Sequence, residues 1–432
     1  MACYETIYAL SSGRPPAGIA VLRISGPHAQ NAARTLAGHV PPPRKATLAR
    51  LTDAAGHPLD RAMMLFFPAP ASATGEDVVE FHLHGGRAVV AAVMAALSSI
   101  TGLRLAQPGE FTRRAHEAGK MDLAEVEGLA DLIDAETEAQ RRQALALASG
   151  ALSRRVEGWR ARLVRALMLV EAGVDFADEG DVPDALLAPA REEAALLLNE
   201  LDAALEDAKR GERVRDGLAV AIAGPPNAGK STLLNALAGR EAAIVSHIPG
   251  TTRDILEVHL DLAGQAVTLI DTAGLRETED EIEAEGIRRA RARAASADLV
   301  LWLSPDDAPP PADLSGAVRV RTKADICEAA ADAGAGLSLS ARTGAGMEAL
   351  VALLTTRADT LSGREPALIT RARQRMALMD ARDHLARATM ASADELLAED
   401  LRLTARALDV VVGRVDVEDV LDALFRTFCI GK

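Results

Sequence analysis

Residues 224–231, GPPNAGKS, have the types and spacing of a phosphate-binding loop, G-x-x-x-x-G-K-[ST]. Glycines let main-chain N–H groups approach phosphate oxygens, and a following helix N-terminus favours negative charge. Lys230 can reach β- and γ-phosphates, and the Ser231 hydroxyl can ligate Mg2+. Thr252, in PGTTRD (249–254), can close on the same Mg2+ when a γ-phosphate is present. Asp271, in VTLIDTAG (267–274), can hold the metal's water shell, and Gly274 can donate its N–H to the γ-phosphate. Asp325, in TKAD (322–325), can accept two hydrogen bonds from a guanine edge, which adenine cannot offer. SLSA (338–341) would cap the base. Four such elements in this order imply GTP as the ligand. The contacts expected are Asn227, Ala228, Gly229, Lys230, Ser231 and Thr232 in the loop, then Ser246, His247, Ile248, Pro249, Gly250, Thr251 and Thr252. Asp271, Thr272, Ala273 and Gly274 follow, then Thr322, Lys323, Ala324 and Asp325, and lastly Ser340, Ala341 and Arg342.

Each motif needs an element to hold it. The apolar run GLAVAIAG predicts a strand entering the loop, and TLLNALAG predicts a helix leaving it. VTLID and AVRVR read as further buried strands ending at the motifs. Around this α/β segment (216–357) the pattern is helical, over 120–215 and again over 358–432. That arrangement predicts a nucleotide module inserted into one helical domain. A break is expected at FADEGDVPD. Residues 1–119 read as α/β, with strands at AGIAVLRIS and VVEFHLHGG, a hairpin over ATLARLTDAAGHPLDRAMMLFF and an apolar helix at RAVVAAVMAALSSI.

On those strands His82 and His84 share a face, but no third metal ligand is suggested nearby. Taken locally, Arg23 and Glu80 read as solvated or paired side chains. The arginines at 141, 142, 154, 155, 160, 162 and 165 read as a solvated helix surface rather than an RNA contact strip. The chain has 432 residues, a net charge of −14 and three scattered cysteines. These values fit two or three domains in a reducing compartment and argue against a coat for nonspecific nucleic-acid binding. No run approaches a membrane span and no signal-peptide pattern is present, so a soluble cytoplasmic protein is expected.

Along essentially its whole length the sequence resembles the MnmE (TrmE) family of bacterial tRNA-modification GTPases. The resemblance is carried by LRISG (22–26), HGG (84–86), PGEFTRRA (108–115), GKMDLAE (119–125), IPGTTRD (248–254), DTAGLRE (271–277) and the terminal FCIGK. It implies an N-terminal α+β folate-binding and dimerisation domain, a helical domain, and an inserted P-loop (Ras-like) G domain. It implies that Arg23, Glu80, Lys120 and Lys432 contact 5-formyl-tetrahydrofolate or a related folate. It implies work with the flavoprotein MnmG on C5 of the tRNA wobble uridine (position 34), adding a carboxymethylaminomethyl or aminomethyl group.

Leu275 stands where Ras-like GTPases use a glutamine to orient water. An apolar side chain cannot do this. Asn227 offers an oxygen for a monovalent cation; by the resemblance it binds K+ together with Ser246, Ile248 and Thr251, as G domains pair. Glu283 matches the family's water-orienting glutamate. Thr322 departs from the usual Asn of NKxD, which predicts a weaker contact to the base and a weaker tether to the phosphate loop. A ribosome-assembly GTPase and a GTP-regulated folate-dependent one-carbon transferase are the alternatives. The first leaves the N-terminal region and FCIGK without a purpose.

Overall fold

Alternating apolar and polar positions give the first sheet two unlike faces, one packed as core and one carrying polar side chains. The computed structural model describes residues 5–175, 183–239, 243–244, 257–271, 297–326, 336–362, 366–415 and 418–432. The chain divides into two compact units, 1–130 with 412–432, and 131–411.

In the first unit, strands β1 (Thr6–Leu10), β2 (Ile19–Ser25), β3 (Thr47–Thr52), β4 (Pro58–Phe67), β5 (Val78–His84) and β6 (Leu103–Leu105) form one sheet in the order β3-β4-β5-β2-β1-β6. β3 and β4 make the expected hairpin. Leu22, Ile24, Val79, Phe81 and Leu83 point to one face, where α1 (Ala29–Ala37) and α2 (Arg87–Ser98) cover them with Ala32, Ala33, Leu36, Val93 and Leu97. Each fully buried large side chain there contributes about 1.5–3 kcal/mol. The alternate residues, Arg23, Glu80 and His82, therefore lie on the opposite face. Part of that face is closed by α3 (Glu110–Glu117), whose Phe111 packs on Ile7, Ala9 and Ala106. α4 (Leu123–Asp134) follows, and Val126 on it packs with Phe425 and Phe428 near the chain's end.

In the second unit the helices are striped at heptad spacing. α5 (Glu138–Ala148) is followed by α6 (Ala151–Asp175), which buries Leu152, Val156, Trp159, Leu163, Ala166 and Val170. α7 (Pro183–Asp216) buries Leu187, Ala190, Ala194, Leu197, Leu201, Ala204 and Ala208. Such three-and-four spacing places one apolar seam on each helix and favours near-antiparallel bundle packing. The arginine run is largely paired within this bundle. Arg160 meets Asp409 at 3.0 Å, Arg162 meets Glu200 at 2.6 Å and also Glu193, and Arg155 lies over the Trp159 ring.

The α/β segment follows α7 directly. Its strands are β7 (Leu218–Ala223), β8 (Ala243–Ile244), β9 (Glu257–Leu262), β10 (Gln265–Asp271), β11 (Leu299–Ser304), β12 (Val318–Arg321) and β13 (Leu337–Ser338). They form one sheet, β13-β12-β11-β7-β10-β9-β8, in which β10, β7, β11, β12 and β13 run parallel. α8 (Lys230–Ala238) and α9 (Met347–Ser362) bury Leu233, Leu237, Met347, Leu350 and Leu354 against one face of the sheet. α10 (Ala372–Met390) and α11 (Asp394–Val411) then close the bundle with α6 and α7, and α12 (Glu418–Thr427) belongs to the first unit.

Candidate nucleotide-binding site and an open sheet face

Parallel strands deliver their motifs to one edge, because in open α/β sheets loops at the carboxyl ends of neighbouring strands converge. β7 leads into the phosphate loop, β10 ends at Asp271, β12 leads into Thr322–Asp325, and β13 leads into Ser340. Gly224 has φ +153 and a Cβ there would lie 2.3 Å from the Leu303 carbonyl oxygen, so this first loop position requires glycine. Asn227 has φ 62, a left-handed conformation that asparagine tolerates better than most side chains. Gly229 caps α8, and Lys230 Nζ donates to the carbonyls of Gly224 and Pro225 at 2.8 and 2.9 Å.

The base-reading side is tied to this loop. The Thr322 hydroxyl, on a buried residue, donates to the Ala228 carbonyl at 2.6 Å. Thr322 therefore does tie the base-reading turn to the phosphate loop, through its hydroxyl where an asparagine would use its amide. Gly229, Thr322, Asp325, Ser340 and Arg342 line a cavity of about 300 Å3. Arg342 Nε and Nη2 donate to Asp325 Oδ2 at 3.1 and 2.6 Å. The Ser340 hydroxyl and the Arg342 guanidinium hold the Asp325 carboxyl below its ordinary range. It therefore stays an acceptor at neutral pH, as reading a guanine edge requires.

On the open face of the first sheet, Arg23 and Glu80 are register partners across β2 and β5. Arg23 Nε and Nη2 reach Glu80 Oε1 at 2.9 and 2.8 Å, and the guanidinium sits 5.8 Å from the Phe111 ring centroid. His82 Nε2 lies 3.3 Å from the other carboxylate oxygen of Glu80. His84 turns instead to Asp60, at 2.8 Å, so the two histidines do not converge.

Beside this face Arg114, from the PGEFTRRA run, is buried among Glu76, Glu110 and the Glu5 carbonyl. Burial works against charge on Glu110, yet hydrogen bonds from Arg104, the Gln107 N–H and Arg114 keep its carboxyl below its usual range. Lys120 is exposed beside Gly75. The terminal FCIGK lies along the end of β1. Ser11 Oγ donates to the Gly431 carbonyl at 2.8 Å, and Ile430 bridges to Pro108. Ser11 is two residues beyond Ala9, the register partner of Arg23. Sequence reasoning missed Phe111 and His82 as neighbours of Arg23 and Glu80, and Arg114 as the buried cation among Glu76 and Glu110. Their signal was the strand alternation and the unusual PGEFTRRA run.

A family model for the GTP-binding protein TrmE N-terminus matches residues 6–120, and one for the MnmE helical domain matches 123–429. The tRNA modification GTPase MnmE of Azorhizobium caulinodans is 65% identical over 431 residues, spanning 99% of each chain. The chain belongs to the MnmE family of tRNA modification GTPases. MnmE of Parvibaculum lavamentivorans is 56% identical, over 99% of this chain and 100% of that one. The solved G domain of the T. maritima FeoB iron transporter is 27% identical, over 33% of this chain and 99% of that one. Its TM-score is 0.24, and the fold assignment rests on the strand order instead.

This MnmE-family GTPase brings together Asn227, Ala228, Gly229, Lys230, Ser231, Thr322, Lys323, Asp325, Ser340, Ala341 and Arg342 at one strand edge. Ser246, His247, Ile248, Pro249, Gly250, Thr251, Thr252, Thr272, Ala273, Gly274 and Glu283 lie outside the described residues. So does most of the expected helix break at FADEGDVPD. Among the described residues, no group of His, Cys, Asp and Glu could hold a metal ion, and no helix is long and apolar enough to cross a membrane.

Proposed function

We propose that this chain hydrolyses GTP to drive modification of C5 of the tRNA wobble uridine. It would act in the cytoplasm with the flavoprotein MnmG and with a tetrahydrofolate as one-carbon source. The observation that carries this reading is 65% identity to a tRNA modification GTPase MnmE across 99% of both chains. The domain partition proposed with it is 1–119 for folate binding and dimerisation, 120–215 with 358–432 as the helical domain, and 216–357 as the G domain.

The open sheet face fits a folate. A cation stacked on an aromatic ring beside a half-buried carboxylate offers both a carboxylate partner and a pterin acceptor. Arg23, Glu80, Lys120 and Lys432 would hold it, and the folate would supply the one-carbon unit. In the cleft, Lys230 would contact β- and γ-phosphates, and Ser231 and Thr252 would hold Mg2+. The Asn227 side chain, exposed on the loop crest, fits an oxygen ligand for K+, with Ser246, Ile248 and Thr251 completing the set. A bound K+ would supply positive charge beside the β/γ-phosphates. Glu283 would orient the attacking water in place of the missing glutamine.

Mass spectrometry of wobble nucleosides from a deletion strain tests the function. The modified uridine should vanish, return with the wild-type gene, and stay absent with Arg23→Ala even though that protein still releases phosphate from GTP. Intact modification in the deletion strain would overturn the assignment.

A further inference from the structure

We propose that Arg342 competes with the guanine edge for the Asp325 carboxylate, and so sets both affinity and base discrimination in the cleft. This rests on the reading of Asp325 as the guanine acceptor. A carboxylate has about four acceptor positions, two on each oxygen. Arg342 Nε and Nη2 both converge on Oδ2, at 3.1 and 2.6 Å. Both acceptor positions of Oδ2 are then taken, whereas the two parallel donors of a guanine edge need one position on each oxygen.

The guanidinium must then give up Oδ2. Arg342 has a side chain 74% exposed, and water can take up its guanidinium when the pair opens. An exposed ion pair of this kind is weak, so the competition amounts to a factor of about two to five in affinity.

The competition has a base signature. Hypoxanthine, the base of inosine nucleotides, lacks the exocyclic amine and donates one hydrogen bond, which Oδ1 accommodates with Arg342 in place. Removing Arg342 should therefore help guanine and leave hypoxanthine nearly unaffected. A merely structural role for Arg342 would move both ligands together.

The test is calorimetric titration of the full-length protein and its Arg342→Ala and Arg342→Gln variants with GDP and with IDP, in matched Mg2+ buffers. Both variants should bind GDP about two- to five-fold more tightly, with IDP nearly unchanged. In the wild type the gap should narrow at high KCl, where the exposed pair is screened. Weaker or unchanged GDP binding in both variants would overturn the competition, as would equal gains for GDP and IDP. Asp325→Ala is run alongside: if it leaves GDP affinity unchanged, the guanine reading of Asp325 fails whatever Arg342 does. If it abolishes GDP binding, the outcome at Arg342 stands alone.

Discussion

Thr322 carries two duties in one short side chain: it opens the base-reading turn and, through a buried hydroxyl, donates to the Ala228 carbonyl at 2.6 Å. Valine has the same shape without the donor, so Thr322→Val leaves a buried acceptor without that bond, a loss of about 1–3 kcal/mol. GDP affinity should fall by roughly five- to a hundred-fold, at about 1.4 kcal/mol per tenfold, and Thr322→Ser should keep most of it. Thr322→Asn should change little, since the tether it would restore already exists. Equal GDP affinity for the valine variant and the wild type would show that the tether does not govern the cleft. A second residue sets a pH dependence. Glu110 has its carboxyl held low by Arg104, the Gln107 N–H and Arg114 against the opposing effect of burial. A carboxyl lowered on folding stabilises above its ordinary range and loses that contribution as pH falls through the lowered value. Urea unfolding from about pH 7 down to about pH 3 should therefore show an acid loss in the first unit that Glu110→Gln reduces. An unchanged acid slope in the variant would remove Glu110 from that transition.

At the level of elements, α7 is placed by a missing side chain. A Cβ on Gly211 would lie 2.0 Å from the Ile369 carbonyl oxygen, and the buried Gln143 amide bridges the carbonyls of Gly211 and Ala367 at 3.2 and 3.0 Å. Gly211→Ala must push α7 away from the segment before α10. The overpacking should destabilise by about 1–3 kcal/mol, even though alanine is the better helix former. A raised melting temperature would contradict the close approach. The helix itself was legible in the sequence, because its stripe from Leu187 to Ala208 repeats every three and four residues. The strands ending at the phosphate loop and at Asp271 were legible for the same reason, as short apolar runs before glycine-rich or acidic turns. Contacts with no period were not. Arg23 and Glu80 are 57 residues apart, and Ser11 and Gly431 are 420 apart. Local reading leaves Arg23 and Glu80 simply polar, whereas register across β2 and β5 makes them one pair. The Arg342–Asp325 pair was hidden in the same way, since each residue belongs to a different motif.

At the level of the whole molecule, the G segment interrupts the helices yet is anchored to them. The Ala139 N–H donates to the Gly264 carbonyl in the β9–β10 turn at 3.0 Å, and the Gln140 amide to the Arg215 carbonyl at the end of α7 at 2.9 Å. These two bonds tie the β9–β10 turn and the end of α7 to the start of α5. No glutamine follows the DTAG run, and the loop crest carries Asn227 instead. A cation held by oxygens there would discriminate by cavity size and ligand number, because K+ and Na+ carry the same charge. It would matter more in the transition state than in the ground state, since charge shifts as the γ-phosphoryl leaves. Phosphate release should therefore be faster in KCl than in matched NaCl, and the rate per molecule should rise with protein concentration as G domains pair. Asn227→Gly is the informative variant. At φ 62 glycine keeps the loop unstrained, whereas alanine would add backbone strain to the loss of the amide. The variant should lose the K+ response and much of kcat, yet retain GDP affinity, because Lys230 and the backbone cradle remain. Equal wild-type rates in the two salts would remove the cation from the mechanism. The positive charge at the phosphates would then have to come from an arginine or from a partner protein.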